Sequence, residues 1–136
     1  MQKNYNFFTL RSLGRHLLIE LYHCDSKILN DVHKVEAIMV EAAKVAKARI
    51  VDVVFHTFNP HGISGVVVIA ESHLAIHTWP EYNFASIDIF TCGTEINPWK
   101  AYNFAAKKFK AKNMTAMEMK RGMLPLPAHL LKHKPS

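Results

Sequence analysis

Residues 62–90 read GISGVVVIAESHLAIHTWPEYNFASIDIF, the most strand-like segment of the chain. Three short segments rich in Val, Ile and Phe follow one another and predict successive strands over Gly62–Ile69, Leu74–Trp79 and Phe84–Phe90. Polar breaks of the Glu-Ser-His and Pro-Glu-Tyr-Asn type separate these strands. A fourth strand is predicted over Ile50–Phe58, before an Asn-Pro-His-Gly break. The middle of the chain is therefore expected to form a sheet.

Helices and further strands flank these four segments. A strand over His16–Tyr22 precedes a helix from about Ile28 to Ala48, in which apolar side chains recur alternately four and three positions apart and share one face. Asn97-Pro98 is typical of an N-cap and first-turn proline and predicts a second helix, and Asn113–Met119 is predicted to be a last strand. This order predicts an α+β two-layer sandwich, with helices on one face of a largely antiparallel sheet.

The second face of that sheet needs its own cover. Four consecutive apolar residues run from Val66 to Ile69, which is typical of a strand that is buried on both faces. Helices cover only one face of a two-layer sandwich. We therefore expect a homodimer in which a second copy of the chain covers the other face.

Length and charge give the domain organisation. With 136 residues, of which 49% are hydrophobic, the chain has the size of one domain, placed at residues 1–120. The net charge of +6 arises mainly from residues 101–136, which hold 8 Lys and Arg against 1 Asp or Glu. The stretch from Arg121 onward contains three prolines, so residues 121–136 are expected to form an irregular basic tail. No nucleic-acid-binding motif accompanies the charge. The sequence contains no apolar run of about 18 residues and no signal-like N-terminal segment, so we expect a cytoplasmic protein without membrane contact.

A polar triplet, Glu71-Ser72-His73, interrupts the apolar stretch between two predicted strands. A tight connection would account for it, but functional groups also tend to lie at such interruptions. Ser64, His77, Glu81 and Cys92 are close to it in the sequence. A serine hydrolase is a weak interpretation because the Gly-x-Ser-x-Gly elbow is missing. A metal site is not predicted, because the histidines lie in a strand-like run and the two cysteines, expected to be free thiols, form no CxxC pair.

The same residues carry a family resemblance. The segment GISGVVVIAESHLAIHTWPE at residues 62–81, followed by DIFTCG at 88–93, resembles the short bacterial and archaeal form of S-adenosylmethionine decarboxylase. The resemblance extends to LGRH at 13–16 and NPWKA at 97–101, and covers about residues 12–110. The Glu-Ser-His triplet with the downstream His-Thr-Trp-Pro-Glu is its most specific part.

The resemblance implies that the chain makes its own cofactor by cleaving itself between Glu71 and Ser72. Ser72 would attack the carbonyl carbon of Glu71 and convert the amide into an ester, with Ser64 assisting at the developing oxyanion. His77 would then remove the α-proton of residue 72, so that elimination releases Glu71 as a new C-terminus. Hydrolysis of the resulting dehydroalanine would leave a pyruvoyl group derived from Ser72.

Cleavage would give a β chain of residues 1–71 and an α chain of residues 72–136. The pyruvoyl ketone would condense with the substrate amine and draw electrons from the bond to the carboxylate. By resemblance, Cys92 returns a proton to that carbon. Glu81 resembles the carboxylate that accepts both ribose hydroxyls, and Phe58 the ring that stacks on adenine.

In this family the site forms at a dimer interface. Ser72 and Cys92 of one protomer are therefore expected to meet Ser64 and His77 of the other. The product would be the decarboxylated aminopropyl donor for spermidine synthesis.

Two alternatives stay open at this point. The first is a sister enzyme that decarboxylates arginine or ornithine with the same pyruvoyl chemistry; Glu81 and Phe58, which suit a nucleoside, favour S-adenosylmethionine. The second is a processing-dead homologue that serves as a regulatory subunit. The presence of Ser64, Ser72, His77 and Cys92 argues against it.

Overall fold

The computed structural model describes residues 11–130. Six strands, three helices and two short 3-10 turns follow one another along this part of the chain. Their bounds are β1 Arg11–Tyr22, α1 Ser26–Leu29, α2 Val32–Val45, β2 Ile50–Thr57, β3 Ile63–Ile69, β4 Ser72–Trp79, a 3-10 turn Pro80–Tyr82, β5 Phe84–Cys92, α3 Pro98–Lys108, β6 Asn113–Leu124 and a 3-10 turn Ala128–Leu130.

The six strands form one antiparallel sheet in the order β2-β3-β4-β5-β1-β6. Alternate side chains of β1, β3, β4 and β5 are fully buried against α2 and α3, because successive residues of a strand point to opposite faces. Met39 and Phe109 are among the largest fully buried side chains of this core. The predicted α+β sandwich with helices on one face is therefore confirmed.

The helix predicted from Ile28 to Ala48 is two helices, α1 and α2. Each has its own aspartate N-cap: Asp25 accepts a hydrogen bond from the backbone N–H of Lys27 at 2.9 Å, and Asp31 from that of His33 at 3.1 Å. The apolar spacing continues across the break, so periodicity alone does not reveal it. No helix within residues 11–130 is long and apolar enough to cross a membrane.

The outer strands β1 and β6 are longer than predicted. The structure begins β1 at Arg11 rather than His16 and extends β6 to Leu124. The predicted irregular tail from Arg121 is therefore wrong for its first four residues, which pair with β1 through Gly14↔Arg121 and Arg11↔Leu124. The C-terminal end of β6 is stabilised by pairing with residues more than 100 positions earlier in the sequence, and the local sequence carries no signal of this pairing. The rest of the predicted tail, from residue 131 on, and residues 1–10 of the predicted domain lie outside the described residues.

One sheet face carries no helix in the described part of the chain, and we refer to it as the open face. Val67 and Ile69 of β3 point into the helix-covered core, whereas Val66 and Val68 point to the open face and are half-buried. Within one chain, the prediction that both faces of this strand are buried is therefore correct for the helix-covered face. The other face is only half-buried. Exposed apolar side chains continue across the open face, including Val54 and Met117, which are 56% and 61% exposed.

Candidate active site

A two-residue turn, Ala70-Glu71, joins β3 to β4 and brings the predicted cleavage site to the end of the sheet, where Ile69 pairs with Ser72. Glu71 has a φ of 72°, in the left-handed region that costs free energy for a residue with a side chain. Ser72 is 9% exposed, and its Oγ donates a hydrogen bond to the carbonyl oxygen of Glu71. The nucleophile and the carbonyl that it is predicted to attack are therefore in contact.

Cys92 ends β5 beside this turn. The register His73↔Phe90 between β4 and β5 places Cys92 level with the Glu71 end of β4, and the cysteine pairs with Gly14 on its other side. Its thiol is free and partly exposed. Cys24, by contrast, is buried, and burial raises its pKa to about 11. Of the two cysteines, the one predicted to be a proton donor is the accessible one.

Ser64 and His77 form a second cluster at the opposite end of the same strands. They face each other across the β3–β4 pair on the open face, and Ser64 Oγ shares a hydrogen bond of 2.7 Å with Nδ1 of His77. Because Nδ1 is engaged, Nε2 is the ring nitrogen available to a second group. This arrangement orients the histidine as a base and supplies a hydroxyl beside it.

A cavity of about 310 Å³ adjoins that pair. Phe58 and Glu81 both line it, together with Ser64 and His77. Phe58 is 49% exposed, so it is not a core residue, and its ring is available to a ligand. Glu81 lies in the 3-10 turn after β4 and contacts Nε2 of His61 through its carboxylate.

His61 is a site residue that the sequence reading missed. It lies in the Asn-Pro-His-Gly break, which predicts a turn and nothing more. The structure brings its imidazole to Glu81, 20 positions away, and into the same cavity. Only the folding of β3 and β4 onto each other creates this contact.

A second group that sequence reasoning missed lies on the open face near the Ser72 end of β4. His16 Nδ1 is 3.0 Å from a guanidinium nitrogen of Arg121, and the rings of His16 and His73 are 6.3 Å apart. Burial lowers the pKa of His16, opposed by the nearby carboxylate of Asp88. These residues come from β1, β4, β5 and β6, so no local sequence motif indicates that they lie together.

The structure thus brings the seven predicted site residues together as two groups and not as one. Glu71, Ser72 and Cys92 form the first group; Phe58, Ser64, His77 and Glu81 form the second. Five residue steps along β4 separate Ser72 from His77, roughly 16 Å at about 3.3 Å per residue. Within the described residues of one chain, the two groups therefore lie apart.

Comparison with known proteins identifies the family to which the chain is similar. The family model described as S-adenosylmethionine decarboxylase matches residues 15–122. The S-adenosylmethionine decarboxylase proenzyme of Pelotomaculum thermopropionicum is 59% identical over 116 residues, which cover 85% of this chain and 92% of that protein. The proenzyme of Syntrophomonas wolfei is 57% identical over 122 residues, which cover 90% and 97%.

Solved structures agree with the sequence matches. The crystal structure of the adenosylmethionine decarboxylase from Aquifex aeolicus has a TM-score of 0.79 at 31% identity and covers 84% of this chain and 94% of its own. A Trypanosoma brucei AdoMetDC monomer shares the fold, with a TM-score of 0.56 at 18% identity over 75% of this chain and 44% of its own. The chain belongs to the S-adenosylmethionine decarboxylase family.

Proposed function

We propose that the chain is a self-cleaving, pyruvoyl-dependent decarboxylase of S-adenosylmethionine. One observation carries this proposal. In a chain of this family, the Ser72 hydroxyl contacts the carbonyl of Glu71, and Glu71 has a left-handed backbone conformation. The decarboxylated product is the aminopropyl donor of polyamine biosynthesis. Cleavage gives a β chain of residues 1–71 and an α chain of residues 72–136.

The first step of cleavage is an acyl shift at the turn. Ser72 Oγ bonds to the carbonyl carbon of Glu71, the carbon–nitrogen bond breaks, and the nitrogen of residue 72 takes up a proton. The left-handed conformation of Glu71 favours this step, because breaking the peptide bond releases the backbone from a costly φ. A donor at the developing oxyanion lowers the barrier, and Ser64 of the partner subunit fills this role.

The second step is an elimination that needs a base. His77 of the partner subunit removes the α-proton of residue 72, and the bond between Cβ and the ester oxygen breaks. Glu71 leaves with a free carboxylate. Addition of water to the remaining dehydroalanine releases ammonia and leaves the ketone of the pyruvoyl group at residue 72.

The pyruvoyl group, once formed, supplies the electron sink for the electron pair of the bond that breaks between the α-carbon and the carboxylate. The residues around Ser72 fit such a group, because Ser72 is nearly buried and the thiol of Cys92 lies beside the same turn. Cys92 holds the proton that returns to the α-carbon after carbon dioxide has left. Its position on the open face places the thiol on the side from which the substrate arrives.

The complete site is shared between two copies of the chain. Two sheets that pack face to face lie about 10 Å apart, and a two-fold axis between the open faces sets the Glu71-Ser72 turn of one copy opposite Ser64 and His77 of the other. Exposed apolar residues such as Val54 and Met117 support this packing, because a second sheet removes them from water. A homodimer therefore covers the open face and completes two equivalent sites.

Substrate recognition lies with the second cluster. The carboxylate of Glu81 accepts hydrogen bonds from the two ribose hydroxyls, and the exposed ring of Phe58 stacks on adenine. Both residues line the same cavity, so one nucleoside reaches both. Arginine and ornithine have neither ribose nor adenine and leave these groups unused.

The reaction belongs in a reducing compartment. Both cysteines are free, and the turnover step needs Cys92 as a thiol and not as a disulfide. We therefore place the enzyme in the cytoplasm.

Two measurements test the proposal together. Denaturing mass spectrometry of the purified chain is expected to show pieces of 71 and 65 residues, the second with a blocked N-terminus. Release of labelled carbon dioxide is expected from S-adenosylmethionine and not from arginine or ornithine. A chain that stays intact after long incubation would overturn the mechanism, whereas cleavage with release from another amino acid would overturn only the substrate.

A further inference from the structure

Thr91 carries a buried hydroxyl that no contact explains. The residue is 1% exposed, and its Oγ1 has no hydrogen-bond partner within the described part of the chain. Buried hydroxyls are normally paired, because leaving one without a partner costs free energy. Thr78 illustrates the usual case: its hydroxyl accepts from the backbone N–H of Ile63 at 3.0 Å and donates to the carbonyl of Leu29 at 2.9 Å.

The register of the sheet places Thr91 opposite Ser72. His73 pairs with Phe90 in the antiparallel β4–β5 ladder, so the next positions outward are Ser72 and Thr91. Both side chains are buried on the helix-covered face. Directly opposed residues of an antiparallel pair have Cβ atoms about 4.5–5.5 Å apart, a separation that two hydroxyls can span with a hydrogen bond. An unpaired hydroxyl therefore stands beside the predicted nucleophile.

We propose that Thr91 is a positioning residue for self-cleavage, an inference that rests on the proposed function. The Ser72 hydroxyl donates its hydrogen to the very carbonyl that its oxygen has to attack. A rotation that transfers this hydrogen bond to Thr91 Oγ1 frees the carbonyl oxygen for an oxyanion donor. The same rotation turns a lone pair of Ser72 Oγ toward the carbonyl carbon.

Thr91 keeps its own proton throughout this step. The new bond joins Ser72 Oγ to the carbonyl carbon, the carbon–nitrogen bond breaks, and the proton lost by Ser72 ends on the released nitrogen. Thr91 acts from the helix-covered side of the sheet, whereas Ser64 and His77 of the partner subunit act from the open face. The two sides thus have different tasks: orientation of the nucleophile and stabilisation of the charge that it creates.

Thr91→Ala and Thr91→Ser provide a matched pair of variants, because both lack the methyl group and only the serine retains a hydroxyl. Cleavage is followed by intact mass over time after cell-free synthesis, with wild type alongside. We expect Thr91→Ser to cleave at nearly the wild-type rate and Thr91→Ala about tenfold more slowly. Equal rates for the two variants would overturn the inference, and a wild-type chain that never cleaves would instead overturn the proposed function.

Thr91→Val separates positioning from a structural role. Valine has nearly the same shape, and it removes a hydroxyl that has no partner, so we expect an unchanged or higher melting temperature together with slow cleavage. Thr78→Val, which removes two hydrogen bonds, is expected to lower the melting temperature. Normal cleavage of a folded Thr91→Val protein would contradict the inference.

Hydroxylamine identifies the affected step, because it splits an ester at residue 72 but not an amide. His77→Ala is expected to accumulate that ester, so hydroxylamine should release its pieces. Slow acyl transfer in Thr91→Val leaves no ester to attack, so hydroxylamine should not accelerate its cleavage. Acceleration in Thr91→Val would move the role of Thr91 to the later elimination and overturn the proposal.

Discussion

Ser72 and His77 lie on the same strand, five positions apart, on opposite faces and near opposite ends of the sheet. Ser72 is buried under the helices, and His77 is exposed on the open face beside Ser64. A base roughly 16 Å away cannot remove the α-proton of residue 72 within its own chain. The proposed mechanism therefore predicts that cleavage requires a second copy of the chain.

Mixed dimers test this dependence. Ser72→Ala and His77→Ala, each expressed alone, are expected to stay uncleaved. In a dimer of the two, the intact Ser72 of the His77→Ala chain meets the intact His77 of the Ser72→Ala chain and forms one working site. Mass spectrometry of co-expressed chains should therefore show cleavage of the His77→Ala chain only. If co-expression yields no cleavage at all, the shared site is contradicted.

Cys92 separates self-cleavage from turnover. Cys92→Ala is expected to cleave like wild type, because the acyl shift and elimination use Ser64, Ser72 and His77. Turnover should fall by 10²-fold or more, on the order of what a positioned general acid contributes. Protonation at the pyruvoyl carbon instead would convert that group to alanine, so activity should also decay during the assay. Full and lasting activity of a cleaved Cys92→Ala enzyme would exclude Cys92 as the acid.

Thiol alkylation distinguishes the two cysteines. Burial raises the pKa of Cys24 to about 11, so only about 0.1% of it is thiolate at pH 8. Iodoacetamide at pH 8 should therefore label the fragment of residues 72–136, which contains Cys92, and leave the fragment of residues 1–71 unlabelled. Activity should disappear in step with this label. Labelling of Cys24 at a comparable rate would show that its environment is open.

Glu81→Gln tests substrate recognition. A hydrogen bond to a charged group contributes about 1.5–3 kcal/mol, so kcat/KM for S-adenosylmethionine should fall at least about tenfold. Glu95→Gln is a suitable control, because Glu95 is exposed and lies outside the cavity. Both variants should be fully cleaved before assay. An unchanged kcat/KM in Glu81→Gln would remove Glu81 from the binding site.

Substitution of His61 tests the role of the Glu81 carboxylate independently. Its contact with Glu81 holds the carboxylate at the mouth of the cavity, and His61→Ala removes that support. We expect KM for S-adenosylmethionine to rise severalfold with kcat little changed, because the change affects binding and not the reacting atoms. His61→Gln, which keeps a donor, should recover part of the loss. A fall in kcat at constant KM would place His61 in the chemistry instead.

Much of the sheet was predictable because its strands are rich in Val, Ile and Phe and are separated by short polar breaks. The split between α1 and α2 was not, because Asp31 starts a new helix without disturbing the apolar stripe. The end of β6 was missed because Gly122 has low strand propensity and the surrounding residues are held by long-range pairing with β1, such as Gly14↔Arg121.

The residues of the candidate site could be proposed from the sequence to the extent that they share a motif. Glu71, Ser72 and His77 belong to one continuous signature, whereas His61 and Thr91 carry no signal in the sequence. Their significance comes from contacts and register: His61 contacts Glu81, and Thr91 lies one position beyond the His73↔Phe90 pair, as Ser72 does on β4. Such relationships exist only after the strands have paired.

Reductive trapping at residue 72 tests whether a pyruvoyl group formed there reacts with S-adenosylmethionine. The purified protein is incubated with methyl-labelled S-adenosylmethionine and sodium cyanoborohydride, and the mass of each fragment is then measured. A cleaved chain whose 72–136 fragment gains the mass and the label of the decarboxylated substrate is the predicted result. A chain still intact at Glu71-Ser72 would contradict self-cleavage. A cleaved fragment that gains mass with arginine or ornithine and not with S-adenosylmethionine would contradict S-adenosylmethionine as the substrate.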